Sequence, residues 1–459
     1  MPLAAVILAA GKGTRMKSDL PKVLHDICGA PMISHVLAAA REAGSEKTIV
    51  VVGFGGDQVA QAIDGRGEIV FQHDQLGTAH ALHQAATALG GFDGDILVLC
   101  GDTPLVSADI LNKMTAAHRE SGARATVLTA WLDNPFGYGR IIRDKDGMLL
   151  KIVEQKDASP EELQVKEVNT GIYCFAAEGL FQSLALIKPD NAQGEYYLPD
   201  LMGLYKGQGK RVGAVPGAHP AEIMGVNDRS QLAQAREAMG QRINSEFMLA
   251  GVTMVDPSSV YIDIGVKIGR DTVIYPGTVI QGGTVIGEGC VIGPFSQIVS
   301  ARMGDKVTVR QSVIEDSEIG SGSTIGPYSY IRPGCVLDGQ VKVGDFVELK
   351  KVKIGRGSKV PHLSYVGDAV IGEKVNVGAG TITCNYDGEK KWPTVVEDNA
   401  FIGSNTNLVA PVRVGRGAVT GAGSTITKDV PEDSLGVARG VQKNIPNWSR
   451  RKKSLENEK

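Results

Sequence analysis

The sequence predicts an α/β domain with a Rossmann-like, mostly parallel sheet, followed by a parallel β-helix of hexapeptide repeats. Three observations predict it. Short apolar runs alternate with helix-like stretches through the first half of the chain. A glycine loop follows the first of those runs directly. Farther on, seven isoleucines stand six residues apart: Ile262, Ile268, Ile274, Ile280, Ile286, Ile292 and Ile298. A chain that turns a corner every six residues and buries one aliphatic side chain per face stacks into a solenoid.

Taken in order, Ala4–Ala10, Thr48–Val52, Glu68–Phe71 and Ile96–Cys100 read as buried strands. Pro31–Ala43 and Thr78–Leu89 read as helices between them, so helices cover both faces of the sheet. Ala125–Leu132 and Gly171–Phe175 read as later strands, added to carry a second substrate. Leu232, Ala235, Met239, Ile243 and Phe247 recur at three and four, a helix that Asp228 or Asn227 can cap. The expected organisation is therefore a first domain over 1–228, a linker helix over 229–250, and a hexad domain with a polar tail over 251–459.

The hexad spans Tyr261 to Val430. It slips after Ile298 and resumes at Ile319, Ile325, Ile331, Leu337, Val343 and Leu349. It continues through Ile354, Val360, Val366, Ile371 and Val377, and closes with Ile402, Leu408, Val414, Thr420 and Ile426. Thr383–Val395, which contains Cys384-Asn385-Tyr386-Asp387-Gly388, breaks it. An insertion leaves a solenoid at a corner, where function collects.

Composition narrows the function. The 459 residues carry a formal net charge of -3, so no global basic field points to nucleic acid. Six scattered cysteines without a CxxC pair argue against zinc or disulfides and for a reducing, cytoplasmic compartment. No apolar run reaches the roughly 18 residues a membrane span needs. Residues 1–10 lack a basic leader region and read as a strand rather than a signal peptide. The tail Arg450-Arg451-Lys452-Lys453 is locally basic.

Leu8-Ala9-Ala10-Gly11-Lys12-Gly13-Thr14-Arg15-Met16 follows the first strand. Small residues there let backbone N–H groups approach phosphate. Lys12 or Arg15 can neutralise a polyphosphate, and Lys22 adds a cation. The spacing is neither a Walker loop nor GxGxxG. Joined to Asp19-Leu20-Pro21-Lys22-Val23-Leu24, it resembles the nucleotidyltransferases that make sugar nucleotides. Further matches are Gln72, Gln75-Leu76-Gly77-Thr78-Ala79, Cys100-Gly101-Asp102-Thr103-Pro104-Leu105, Gly137-Tyr138-Gly139-Arg140-Ile141, Glu154, Asn169-Thr170-Gly171 and Asn227. With the hexad behind them, residues 4 to about 440 resemble the bacterial family of bifunctional N-acetylglucosamine-1-phosphate uridyltransferases and glucosamine-1-phosphate N-acetyltransferases.

That resemblance implies an α/β nucleotidyltransferase fold and a left-handed β-helix. It implies UTP and N-acetylglucosamine 1-phosphate as substrates of the first domain, with Mg²⁺ on Asp102 and Asn227. Leu8, Ala9, Ala10, Gly11, Gln72, Gly77 and Thr78 would bind uridine and ribose, with Cys100 and Gly101 alongside. Arg15 and Lys22 would face phosphates, and Gly139, Glu154 and Asn169 would hold the sugar. Cys100 stands where many relatives have tyrosine, and only its backbone need touch nucleotide.

In the solenoid, His362 is the lone histidine. Imidazole suits the removal of a proton from an attacking amine near neutral pH. The resemblance makes His362 the general base on glucosamine 1-phosphate. It places Arg332, Lys350, Tyr365, Asn376 and Lys391 on that acceptor, and Ala379, Asn385, Tyr386, Ser404, Ala422 and Arg439 on acetyl-CoA. It also implies a homotrimer. The rival reading, a nucleotidyltransferase whose solenoid is only a platform, gives no reason for His362 beside Lys350, Lys391 and the Asn385-Tyr386 loop. A third reading puts a different sugar or nucleotide in the first site. Gln72 and Asn169-Thr170-Gly171 fit the uridine and N-acetyl pattern better.

Overall fold

A computed structural model describes residues 1–217 and 220–450. Arg451, Lys452 and Lys453 of the basic tail lie outside the described residues. Packing divides the chain into two units, Met1–Arg242 and Ile243–Lys459.

The first unit is built on one sheet whose strands run in the order Val212–Pro216, Ala125–Trp131, Glu167–Ala176, Asp95–Cys100, Leu3–Ala9, Lys47–Val52 and Glu68–Phe71. In that order all neighbours are parallel except Glu167–Ala176, which runs antiparallel to the strands on either side; off the row, Arg140–Arg143 pairs antiparallel with Glu167–Ala176 and with Leu149–Val153. Leu3–Ala9 is apolar throughout because both faces are covered. Ala5, Ile7 and Ala9 pack into one core with Met32–Glu42 and Ala108–Ser121. Ala4 and Val6 face a second core that holds Leu82, Tyr173, Phe175 and Tyr205.

The chain builds outward from Leu3–Ala9 on one side and then returns to place Asp95–Cys100 on the other. The carboxyl ends of these two strands therefore form a topological switch point, the usual ligand crevice of such sheets. Two readings are corrected here. Glu167–Ala176 is a central strand, not an addition, because its apolar residues are needed beside Asp95–Cys100. The helix expected over Thr78–Leu89 ends at Gln84, after which the backbone continues in turns to Leu89.

The helix Arg229–Leu249 crosses the division. Asp228 caps it, accepting from the Gln231 N–H at 2.9 Å, while the Asn227 N–H bonds the Gln231 side chain at 2.8 Å. Cap and site roles thus separate onto neighbouring residues, and the Asn227 side chain stays free of the helix. Arg242 donates to the Leu105 carbonyl in the first unit. Asn244 donates to the Pro257 and Val260 carbonyls in the second.

The second unit is a parallel β-helix. Ile262 pairs with Ile280, Ile268 with Ile286 and Ile274 with Ile292, each eighteen residues on, so three hexads make one coil. Beyond Ile298 the coil shortens: Ile298 pairs with Ile314 and Ile292 with Val309. Hexad aliphatics form the core. In the first coil Ile262 is buried and Ile268 is half-buried.

The corners are held by buried hydroxyls two residues before the core aliphatics. The Thr272 hydroxyl donates to Gly287 O and accepts from Cys290 N–H. Ser317 repeats the pattern with Arg332 O and Cys335 N–H. Cys290 and Cys335 occupy this same corner position, so they serve as small packing residues. Cys100, Cys174, Cys290, Cys335 and Cys384 are thiols outside any disulfide.

The interruption is narrower than Thr383–Val395. Thr383 is buried in strand Ile382–Cys384, and Thr394–Val396 is again a coil strand. Val377 pairs with Ile402, twenty-five residues on, where Val343 pairs with Val360, seventeen on. The chain between Cys384 and Thr394 is the excursion.

Candidate active sites

At the switch point Leu8 pairs with Cys100, and the Gly101 N–H donates to the Leu8 carbonyl at 2.9 Å. This sets the Ala9-Ala10-Gly11 turn beside Asp102. The Lys22 ammonium donates to Asp102 Oδ2 and, at 3.2 Å, to Asn227 Oδ1. Arg15 donates to the same Asn227 oxygen at 2.9 Å. Four side chains far apart in sequence thus meet at one point. Gly13 makes this possible. Its φ is +59°, and a Cβ there would lie 2.6 Å from Lys22 Cβ. Arg229, which no motif marked, braces the cluster from behind through the Met16 carbonyl and His25.

Cys100 turns its thiol away, toward the Gly171 carbonyl at 3.6 Å, and burial pushes it up to about 12. It is therefore a protonated packing residue at neutral pH, and only its backbone borders the crevice.

Gln72 is buried and holds the next group. Its amide donates to Gly77 O at 3.2 Å and lies 3.0 Å from His80 Nδ1. Gly77 has φ +116°, and a Cβ there would meet the Tyr196 backbone at 2.6 Å. The Thr78 hydroxyl accepts from Leu198 N–H at 3.0 Å.

Gly139, Glu154 and Asn169 form a third group. The Asn169 N–H donates to the Gly139 carbonyl at 2.8 Å. Strand register shifts between Asn169 and Tyr173, and bulges of this kind re-aim side chains at sites. Asn169 Oδ1 accepts from Gly171 N–H and Tyr173 O–H, both at 3.0 Å, which leaves its NH₂ for Glu154. Burial raises the Glu154 pKa, and the Asn169 hydrogen bond opposes that shift.

In the second unit His362 pairs with Asp345 across one coil, Nδ1 lying 2.6 Å from Oδ1. The coil length of seventeen residues was the signal in the sequence that could have found Asp345. Arg332 donates to Glu348 at 2.8 Å, which raises the guanidinium pKa. Ile331 pairs with Leu349 and Lys350 with Gly367, so Arg332 and Lys350 stand on successive coils. Hydrogen bonding and like charge from Lys350 lower the Lys391 pKa, and Tyr365 and Asp368 act on the same ammonium. Asn385 donates to Asp368. Tyr386 bridges Lys391 across the excursion. Asp387 closes that loop by accepting from Lys390 N–H, Trp392 Nε1–H and Glu389 N–H, which lowers it to about 2.

Ala379, Ser404, Ala422 and Arg439 form a column along one corner. Asn405 N–H donates to Ala379 O, Gly423 N–H to Ser404 O, and Arg439 to Ala422 O at 2.8 Å. Asn376 does not join the cationic group. It lies opposite Lys359 on the face that carries His362.

Residues 5–242 match the MobA-like NTP transferase domain, and residues 265–300 and 393–428 match the bacterial transferase hexapeptide repeat. The chain is 57% identical to the bifunctional protein GlmU of Pelotomaculum thermopropionicum over 99% of each chain. It is 50% identical to that of Halalkalibacterium halodurans over 98% of each. The value for a Geobacillus GlmU is 52% over 97% of each. The chain belongs to the GlmU family. The GlmU pairing of a nucleotidyltransferase fold with hexapeptide coils is the arrangement seen in these two units, the coils being consistent with the left-handed β-helix. Among the described residues no helix is long and apolar enough to cross a membrane.

Proposed function

We infer that the chain is a bifunctional enzyme of UDP-N-acetylglucosamine synthesis. The second unit transfers acetyl from acetyl-CoA to glucosamine 1-phosphate. The first transfers UMP from UTP to the N-acetylglucosamine 1-phosphate so formed, releasing pyrophosphate. The observation that carries both reactions in one chain is the hexad break. It brings Lys391 against Lys350 beside the Asn385-Tyr386 loop, which a passive platform does not need.

In the first site two anions must meet. Arg15 and Lys22 neutralise the phosphates, while Leu8, Ala9, Ala10, Gly11, Gln72, Gly77 and Thr78 hold uridine and ribose. Gly139, Glu154 and Asn169 orient the sugar so that its phosphate oxygen faces the α-phosphorus. Asp102 and Asn227 fit Mg²⁺: their hard oxygens already converge on one cation, the Lys22 ammonium. Among the described residues no group of three or more His, Cys, Asp or Glu is placed to hold a metal. Two protein ligands suit an ion that keeps waters and substrate oxygens. Bound there, Mg²⁺ supplies Lewis-acid neutralisation of the phosphoryl oxygens.

In the second site His362 takes the amine proton. Arg332, Lys350 and Lys391 grip the sugar phosphate, with Tyr365 and Asn376 on the sugar. Ala379, Asn385, Tyr386, Ser404, Ala422 and Arg439 line acetyl-CoA, largely through backbone. The chain works as a homotrimer through the β-helix. Support comes from one corner beside His362, where Phe295, Tyr328, Phe346 and Leu363 are 71, 54, 58 and 61% exposed. A stacked row of large apolar side chains left open on one coil corner is a surface that a second copy of the chain would cover. Its use of UTP and acetyl-CoA suits the cytoplasm.

Incubating the protein with glucosamine 1-phosphate, acetyl-CoA, UTP and Mg²⁺, and omitting each in turn, tests the reading by mass of products. Omitting UTP should leave N-acetylglucosamine 1-phosphate, and omitting acetyl-CoA should leave no sugar nucleotide. Accumulation of any other nucleotide sugar would overturn it. A fragment ending at Arg242 should keep uridylyl transfer, whereas one ending at Asp228 should lose most of it. The shorter fragment lacks Gln231, Arg229 and Arg242, which hold Asn227, Met16 and Leu105. Equal melting temperatures and pyrophosphate release for the two fragments would reject this boundary.

A further inference from the structure

The reaction scheme leaves one contact at His362 unused. The backbone of His362 is fixed, its carbonyl accepting from the Ser364 hydroxyl at 2.8 Å and from Gly380 N–H at 3.3 Å. The ring itself is exposed, so rotation about its side-chain bonds is the freedom that remains. Asp345 removes that freedom. It is the ladder partner of His362 on the adjacent coil, and its Oδ1 lies 2.6 Å from Nδ1. Bonding to His362 holds the Asp345 carboxyl below the usual carboxylate range, and Lys342 adds to the effect. An ionised carboxylate only accepts hydrogen bonds, so the shared proton belongs to Nδ1.

We propose that Asp345 is a positioning residue for acetyl transfer, holding His362 in the Nδ1–H tautomer so that the Nε2 lone pair meets the amine. The proposal rests on His362 being the base. As the C–N bond forms at the thioester carbonyl and the C–S bond breaks, the amine proton goes to Nε2 and then to the departing thiolate. The Nδ1 proton stays in place, and its bond to Asp345 strengthens while the ring is cationic. A neutral imidazole without this partner divides between two tautomers and many rotamers, most of them unproductive.

Full-length Asp345→Ala, compared with wild type and His362→Ala, tests this. The kcat for acetyl transfer should fall about 10- to 100-fold, the scale of one hydrogen bond to a charged group. KM for acetyl-CoA and for glucosamine 1-phosphate should stay within about twofold. Uridylyl transfer should be unchanged, which reports an intact fold. The ¹⁵N spectrum of the neutral His362 ring should show Nδ1–H in wild type and a gain of Nε2–H in the variant, a change that a merely structural role would not produce. An Asp345→Ala kcat within about twofold of wild type, or a slow variant with the wild-type tautomer, overturns the proposal. Retained acetyl transfer in His362→Ala removes the base assignment and the proposal with it. A dead His362→Ala beside a wild-type Asp345→Ala removes the proposal alone.

Discussion

His362→Ala lowers acetyl transfer by about 10²–10⁴-fold, the usual worth of a general base, and leaves uridylyl transfer at the wild-type rate. The amine of glucosamine 1-phosphate must shed a proton as it attacks the thioester, and alanine supplies no acceptor. The substitution is mild structurally, because the ring is exposed and its carbonyl contacts are made by backbone. Separate assays of coenzyme A thiol release and of pyrophosphate release check the result. Equal loss in both would mean that the two reactions share one site.

Asp102→Ala gives the converse. Uridylyl transfer falls by at least about 10²-fold, the scale of losing one preorganised electrostatic group, while acetylation continues. Two effects act together. The carboxylate oxygen that faces the metal position is lost, and Lys22 loses its anionic partner, leaving Asn227 as its remaining contact. Steady-state rates at increasing Mg²⁺ check it, since a weakened ion site shifts the activating concentration upward. A variant with the wild-type rate and Mg²⁺ dependence would remove Asp102 from the site.

Much of the fold is legible in the sequence because it rests on local rules. A buried parallel strand is apolar throughout, as in Leu3–Ala9, and a stacked coil needs one core aliphatic per six residues, as in Ile274 and Ile280. The errors fall where tertiary context overrides pattern. Gly171–Phe175 is taken for an addition because nothing in its residues reveals that it belongs to Glu167–Ala176, an interior strand antiparallel to those on either side. The break at Thr383 is drawn too wide, since a buried threonine bonded to Gly367 serves the coil as an aliphatic does. Cys290 and Cys335 read as scattered thiols until corner packing explains them.

The sites divide in the same way. Asp102, Asn227, Lys22 and His362 are marked by motif and by resemblance, yet their partners are not. Asp345 is reachable only by counting one seventeen-residue coil back from His362, and Glu348, Asp368 and Arg229 carry no signal of their own in one sequence.

By itself the sequence determined what each segment must bury: the repeat length of the coils, the strand–loop start of the first unit, and the chemical types present. Only the tertiary structure decided which polar groups meet, as Lys22 meets Asp102 and Asn227, and Lys350 meets Lys391. The physical reason is range. Burial acts on neighbouring residues and leaves a period in the chain, whereas a convergence of charges depends on strand order, on coil register and on the length of one excursion between Cys384 and Thr394.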